Sequence, residues 1–300
     1  MKKLELKAYG KINLTLDILG KRPDGYHEIA TVLQQISLHD KVSVKWIPGG
    51  HEGVVIEIGT NKRYLPTDER NIAYKAADLL VSRYPVADKF GPGTVRIDIK
   101  KQIPVAAGLG GGSANGAAAL IGLSEIWELG LGEEELLALG AKLGSDVPFC
   151  VMGQKGKTCA LAKGTGTELT PQKGVSVFIV LSKPPVSVST AAAYKGFALM
   201  EEKSFERPNI SDLIFAMKQN DLEEAGKNMI NVLENYTLAA YPGVRETKGL
   251  MLKSANPVKV LMSGSGPTII GFYKDRKSAE EAYKTMAAIN KDTYLTRTMT

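Results

Sequence analysis

Gly108-Leu109-Gly110-Gly111-Gly112-Ser113 sets four glycines within five positions, after Pro104-Val105-Ala106-Ala107 and before Ala114-Asn115-Gly116. Glycine lets backbone N–H groups approach a ligand closely, and a helix beginning there adds unpaired N–H groups and a partial positive charge. Phosphate is the guest that suits such a loop. A flexible surface turn is the plain alternative, but turns of that kind rarely lie between an apolar strand and an alanine-rich helix. Two familiar phosphate loops do not fit. A dinucleotide fingerprint would close on glycine or alanine where Ser113 stands, and no matching acidic residue follows a second strand. Gly156-Lys157-Thr158 has the ending of a Walker A loop, but Val151 occupies its first glycine position, so Lys157 reads as an exposed strand residue.

Other residues carry chemistry less decisively. In Gly144-Ser145-Asp146-Val147-Pro148-Phe149 the carboxylate follows a helix end, where it is a turn former or a base. Lys11 and Asn13 are two apart on a strand and face one side, as does Tyr9; a strand lysine is ordinarily solvated. Tyr26-His27 follows a turn and either stacks on and hydrogen-bonds a ring or caps a sheet edge. Ser263-Gly264-Ser265-Gly266 forms a second anion nest or a tight turn.

The chain has 300 residues, 44% of them hydrophobic, enough for one large domain or two ordinary ones. Its longest apolar runs fall far short of the roughly 20 residues that cross a bilayer. Glu5 and Lys7 interrupt any signal-like stretch, so a cytoplasmic protein is expected. Cys150 and Cys159 form no CxxC pair and read as small buried hydrophobes; no metal-ligating set is indicated. The net charge of +6 suits nucleic acid or an anionic small substrate. The lysines are scattered, with Lys100-Lys101 the densest cluster, which argues against nucleic acid.

The elements that must position these residues follow from periodicity. Strands are expected at Leu4 to Ala8, Ile12 to Leu19, Ala30 to Leu38, Lys41 to Trp46, Val54 to Ile58 and Thr94 to Ile99, with a turn at Arg22-Pro23-Asp24-Gly25. Helices are expected at Asn71 to Tyr84, Ser113 to Trp127 and Glu133 to Leu143, the last closed by Gly144. Further helical patterns at Asp212 to Asn220, Leu222 to Asn228 and Val244 to Ser254 precede strands at Val258 to Met262 and Thr268 to Tyr273, a helix at Ser278 to Ile289 and a strand at Thr293 to Thr298. That order predicts a second α+β domain.

Taken together, Ala8-x-x-Lys11-x-Asn13-Leu14, the Pro104 to Asn115 loop, Gly144 to Phe149 and Ser263 to Gly266 resemble the motifs of the GHMP kinase superfamily. The resemblance runs from Ala8 to Tyr273. It implies an α+β, two-domain GHMP kinase fold: an N-terminal mixed-sheet, ATP-binding domain over 1–160, and a C-terminal ferredoxin-like domain over 161–300 that completes the substrate site. Within the superfamily, Lys11-Ile-Asn13-Leu, Arg22-Pro-Asp-Gly25-Tyr26-His27, the triple glycine and Asp146-Val-Pro-Phe149 resemble a branch of non-mevalonate isoprenoid biosynthesis. That branch uses ATP, with Mg2+ expected beside it, to phosphorylate the 2-hydroxyl of a methylerythritol carrying a cytidine diphosphate group. By motif position Asp146 is the base and Lys11 its charged partner. Tyr26, His27 and Tyr194 are expected to recognise the cytosine, Asn13 and Thr190 the methylerythritol part, and Asn71 the adenine. Pro104, Ala106, Ala107, Gly108, Leu109, Gly110, Gly111, Gly112, Ser113, Ala114, Asn115 and Gly116 form the nucleotide loop. It departs from the commoner pattern at Ala114, where serine is usual, and at Gly116, where alanine is usual, leaving Ser113 as the loop hydroxyl.

Overall fold

A computed structural model describes residues 2–50, 52–200 and 205–300. The chain divides into two compact units, each discontinuous in sequence: Met1–Gly10, Leu38–Ile103 and Gly110–Gly156 in the first, and Lys11–Ser37, Pro104–Leu109 and Lys157–Thr300 in the second.

Two long strands, β1 (Lys2–Lys21) and β2 (His27–Pro48), pass through both units. The first unit adds β3 (Val54–Thr60), α1 (Ile72–Arg83), α2 (Val86–Phe90), β4 (Gly93–Lys100), α3 (Gly111–Ile126), α4 (Glu133–Leu143) and α5 (Val147–Gln154). Here β4 lies between β2, antiparallel with Val44 opposite Ile97, and β3, parallel with Ile56 opposite Val95. Val42, Val44 and Trp46 alternate into the core, as a half-buried strand requires, and meet Ala73, Ala76, Ala77 and Leu80 of α1. Each fully buried valine or leucine among them contributes about 1.5–3 kcal/mol. Helix α3 is buried along most of its length, which its run of alanines permits, and its end is packed where Trp127 meets Trp46 edge to face with centroids 5.8 Å apart. Helix α4 carries Glu133, Glu134 and Glu135 in its first turn, where the helix dipole favours acids. Pro148 falls in the first turn of α5, a position that needs no N–H, so Gly144 to Phe149 opens a short helix.

The second unit contains β5 (Cys159–Gly164), β6 (Glu168–Pro171), β7 (Phe178–Lys183), α6 (Thr190–Ala198), α7 (Ile210–Gln219), α8 (Leu222–Asn228), α9 (Glu234–Ala240), α10 (Pro242–Leu252), β8 (Lys259–Met262), β9 (Ile269–Tyr273), α11 (Arg276–Ala287) and β10 (Asp292–Arg297). The N-terminal part of β2 pairs with β5, and β5 with β6, all antiparallel. The other sheet is antiparallel in the order β10-β7-β9-β8. Strand, helices, two strands, helix, strand with that order is the ferredoxin-like arrangement expected from the sequence. Its core gathers Val180, Val260, Met262, Ile269 and Tyr273 from the sheet with Val244, Met251, Ala282 and Met286 from α10 and α11.

Four short strands expected in the N-terminal part are two long ones. Gly10 stays extended inside β1, and His39-Asp40, which interrupt the apolar pattern, lie inside β2. Asp40 is tolerated there because backbone and side-chain donors of the first unit engage both of its carboxylate oxygens. Lys157, expected on a strand, is exposed just before β5.

Candidate active site

In the first unit the nucleotide loop becomes a helix start. Gly110 has a left-handed backbone (φ 65°) and precedes α3, whose first turn is Gly111, Gly112 and Ser113. The first N–H groups of a helix have no partner within it, so this turn offers donors to an anion. Gly116, one turn on, faces Ile72 of α1 at a distance that a methyl group would not tolerate. Asn115 does not point outward. It is 4% exposed, with Nδ2 donating to Asp40 Oδ2 at 2.8 Å and Oδ1 accepting from Lys101 Nζ at 3.1 Å. Asn71, expected near an adenine, caps α1: its Oδ1 accepts from Ala73 N at 3.0 Å and its Nδ2 donates to Pro66 O at 2.8 Å. The turn before it is fixed by Arg70, which holds the Asp68 carboxyl down at about 2. Asp146 occupies the N-cap position of α5: its backbone carbonyl accepts from Cys150 N at 3.1 Å, while its half-buried carboxylate makes no capping hydrogen bond to the helix.

In the second unit, Lys11 is 4% exposed and its Nζ donates to Asn13 Oδ1 at 2.9 Å. Asn13 Nδ2 donates to Thr31 Oγ1 at 2.9 Å, and Thr31 Oγ1 to Thr15 O at 2.5 Å. The solvated lysine that a strand usually carries is here a buried ammonium, which is costly unless paired and hydrogen-bonded. Lys11 N donates to Leu109 O at 2.9 Å, tying β1 to Pro104–Leu109. In that segment Ala106 (φ 51°) and Gly108 (φ 74°) are left-handed. A methyl group at Gly108 would collide with the carbonyl oxygen of Ser263, whose hydroxyl donates to Gly108 O at 2.9 Å. Ser263 to Gly266 is therefore a brace for the loop as well as a turn. It is fixed in turn by Asn231, which sequence reasoning missed: Nδ2 donates to Met262 O at 2.8 Å and Gly264 O at 2.7 Å, and Oδ1 accepts from Leu233 N at 3.0 Å. A lone buried asparagine between helical patterns gives no signal in one sequence.

The same unit brings His27 and Tyr194 together, ring centroids 5.0 Å apart and tilted by 37°. Helix α6 carries Tyr194, and Thr190 at its start hydrogen-bonds Ser265 at 3.0 Å between hydroxyls. Tyr26 is 65% exposed on the turn closed by Arg22 N donating to Tyr26 O at 2.8 Å. The structure thus unites His27 with Tyr194 and leaves Tyr26 in the open. Cys150 and Cys159 are both buried, and burial pushes the Cys159 thiol up to about 12. No described helix is long and apolar enough to cross a membrane.

The chain is similar to known kinases. The family description "GHMP kinases N terminal domain" matches residues 71–154, and "GHMP kinases C terminal" matches 213–292. A 4-diphosphocytidyl-2-C-methyl-D-erythritol kinase from Alkaliphilus metalliredigens is 43% identical, over 98% of this chain and 96% of that protein. One from Caldicellulosiruptor bescii is 41% identical, over 98% of each. A crystal structure of 4-(cytidine 5'-diphospho)-2C-methyl-D-erythritol kinase superposes with a TM-score of 0.80 at 29% identity, covering 99% of this chain and 100% of that one. The homoserine kinase of Cytophaga hutchinsonii, 17% identical with a TM-score of 0.71 over 100% of this chain and 95% of its own, shares the fold. The chain belongs to the 4-diphosphocytidyl-2-C-methyl-D-erythritol kinase family, within the GHMP kinases.

Proposed function

We propose that the protein transfers the γ-phosphoryl group of ATP to the 2-hydroxyl of 4-diphosphocytidyl-2-C-methyl-D-erythritol, a step of non-mevalonate isoprenoid synthesis. The observation that carries the donor half is the opening of α3, where Gly110 to Ser113 leave N–H groups at a positive helix end. Phosphoryl transfer asks the protein mainly to align the reactants and offset charge on the moving group. A half-buried Ser113 is the loop hydroxyl available near magnesium, which ATP brings on its own phosphates and which would neutralise charge on the β- and γ-oxygens. Residues 1–160 carry ATP in this reading, and 161–300 complete the acceptor site.

The acceptor half rests on the names of the full-length relatives and on the His27–Tyr194 pair. In this reading Tyr194 stacks on cytosine, His27 reads its hydrogen-bonding edge, and Tyr26 moves from solvent onto the bound base. Asn13 and Thr190 hold the methylerythritol portion. Asp146 accepts the proton of the attacking hydroxyl, and Lys11, already buried as an ammonium, offsets the charge that develops. The test is a product analysis with ATP and 4-diphosphocytidyl-2-C-methyl-D-erythritol. ADP and a new phosphomonoester on the 2-oxygen, in equal amounts by phosphorus NMR, are expected. ADP formation that ignores the acceptor would remove the proposal.

A further inference from the structure

We infer that Asp40 and Lys101 are positioning residues for ATP, acting as a buried clasp that holds the two ends of the glycine-rich loop in register. Asp40 is fully buried and its two oxygens serve different stretches of chain. Oδ1 accepts from Gln102 N at 2.7 Å and Ile103 N at 2.9 Å, the residues just before the loop. Oδ2 accepts from Lys101 Nζ at 2.5 Å and from Asn115 Nδ2 at 2.8 Å, on the helix just after it. Lys101 closes the triangle by donating to Asn115 Oδ1 at 3.1 Å, and its backbone N–H is held by Asn61 Oδ1 at 2.8 Å. The ammonium lies against the first turn of α3: a methyl group added at Gly111 would sit 3.0 Å from Nζ.

A buried ion pair is an expensive way to fill a core, since both ions lose water, and apolar packing of similar volume is often at least as stable. What the pair supplies, and apolar packing does not, is direction: each hydrogen bond fixes one atom to one atom. The loop between the clasped ends is rich in glycine, which has the most conformational freedom to lose when a ligand orders it. A clasp that removes this freedom before binding raises affinity without touching the nucleotide. It also reassigns Asn115, which sequence reasoning placed among the nucleotide contacts, to the protein's interior.

The inference rests on the reading of this loop as an ATP site. Its test compares wild type, Asp40→Asn and the double variant Asp40→Asn/Lys101→Met, each by calorimetric binding of a non-hydrolysable ATP analogue and by KM for ATP and for the alcohol acceptor. Asp40→Asn keeps an acceptor for the Gln102 and Ile103 N–H groups but sets an amide against a buried ammonium and the Asn115 amide. It should weaken analogue binding about tenfold or more while the acceptor KM stays within about twofold. The double variant removes the stranded charge and, with no ammonium left to hold Asn115 Oδ1, lets the Asn115 amide turn over and accept from the new amide at position 40, so binding should return to within about threefold of wild type. If Asp40→Asn does not fold, Asn115→Leu replaces it, cutting the tie to α3 while the ion pair stays satisfied, and the same weakening of ATP binding is expected. Wild-type ATP affinity in the single variant, equal shifts in both KM values, or a double variant no better than Asp40→Asn overturns the clasp. A wild-type protein that binds no analogue overturns the ATP reading itself.

Discussion

The start of α3 and the His27–Tyr194 pair present opposite kinds of surface. At α3 the donors are backbone N–H groups, and the side chains of Asp40, Lys101 and Asn115 are buried together close to the helix start. At the aromatic pair the side chains themselves form the surface, at the start of β2 and on α6, and both rings are half-buried. The first arrangement suits a group common to many reactions, since any phosphate accepts from N–H donors. The second suits discrimination, because ring faces and edges differ between bases. Damage to one region should therefore change the constants for one substrate, and a substitution at the reacting centre should change neither affinity.

The largest effect is expected where neither region is touched. Asp146→Asn keeps shape but deletes the proposed base, so turnover should fall about a thousandfold while ATP and acceptor still bind. Near-normal turnover would return Asp146 to a helix-start residue.

Gly108→Ala is next. It forces a side chain onto a left-handed backbone and against the Ser263 carbonyl, displacing the loop. A loss of about a hundredfold in kcat/KM for ATP is expected, of the size that a misplacement of about 1 Å produces. An unaltered acceptor KM keeps the contrast between the regions; a rise in both constants breaks it.

Tyr194→Ala should raise the acceptor KM about tenfold, since a base–aromatic stack contributes about 1–3 kcal/mol, and leave the ATP constants alone. Loss of ATP affinity in this variant would mean that the pair serves the fold and not the acceptor.

The smallest expected effect concerns the cysteines. The Cys159 thiol lies at about 12 in the folded protein against an ordinary 9.0, so as pH rises through 9 the unfolded chain loses this proton and the folded one keeps it. High pH thus costs stability at this position. Native protein at pH 8 should resist thiol reagents at both cysteines, and unfolding should release two reactive thiols per chain. Rapid labelling of native protein contradicts this.

What was legible in the sequence follows the same division. The helix start at the loop could be read because glycines cluster there between a strand and an alanine-rich run, Glu133–Leu143 because its apolar residues recur at helical spacing, and Leu222–Asn228 because Asp221 precedes it as a cap. A second α+β domain followed from the alternation of strand and helix periods, and its ferredoxin-like order from the resemblance to the GHMP kinases. The Asp40–Lys101–Asn115 network could not be read: its members are 61 and 14 residues apart, and only the pairing of β2 with β4 and the burial of α3 bring them together. Asp40 even misled, since a carboxylate in an apolar stretch reads as a strand end, whereas hydrogen bonds from Gln102 and Ile103 let the strand continue. Thr31 and Asn231 were silent for the same reason, as each acts through a partner distant in the chain.

The central claim, a kinase whose acceptor is chosen by its cytosine, is tested most directly by kcat/KM for the 2-hydroxyl acceptor presented as its cytidine diphosphate conjugate, as the uridine analogue and without a nucleotide. Uracil reverses the donor and acceptor pattern that cytosine offers His27, leaving polar groups opposed, and discrimination by unpaired buried groups is large. The cytidine conjugate should be preferred by about a hundredfold or more, and His27→Ala should narrow the gap. Equal kcat/KM for all three acceptors would contradict it.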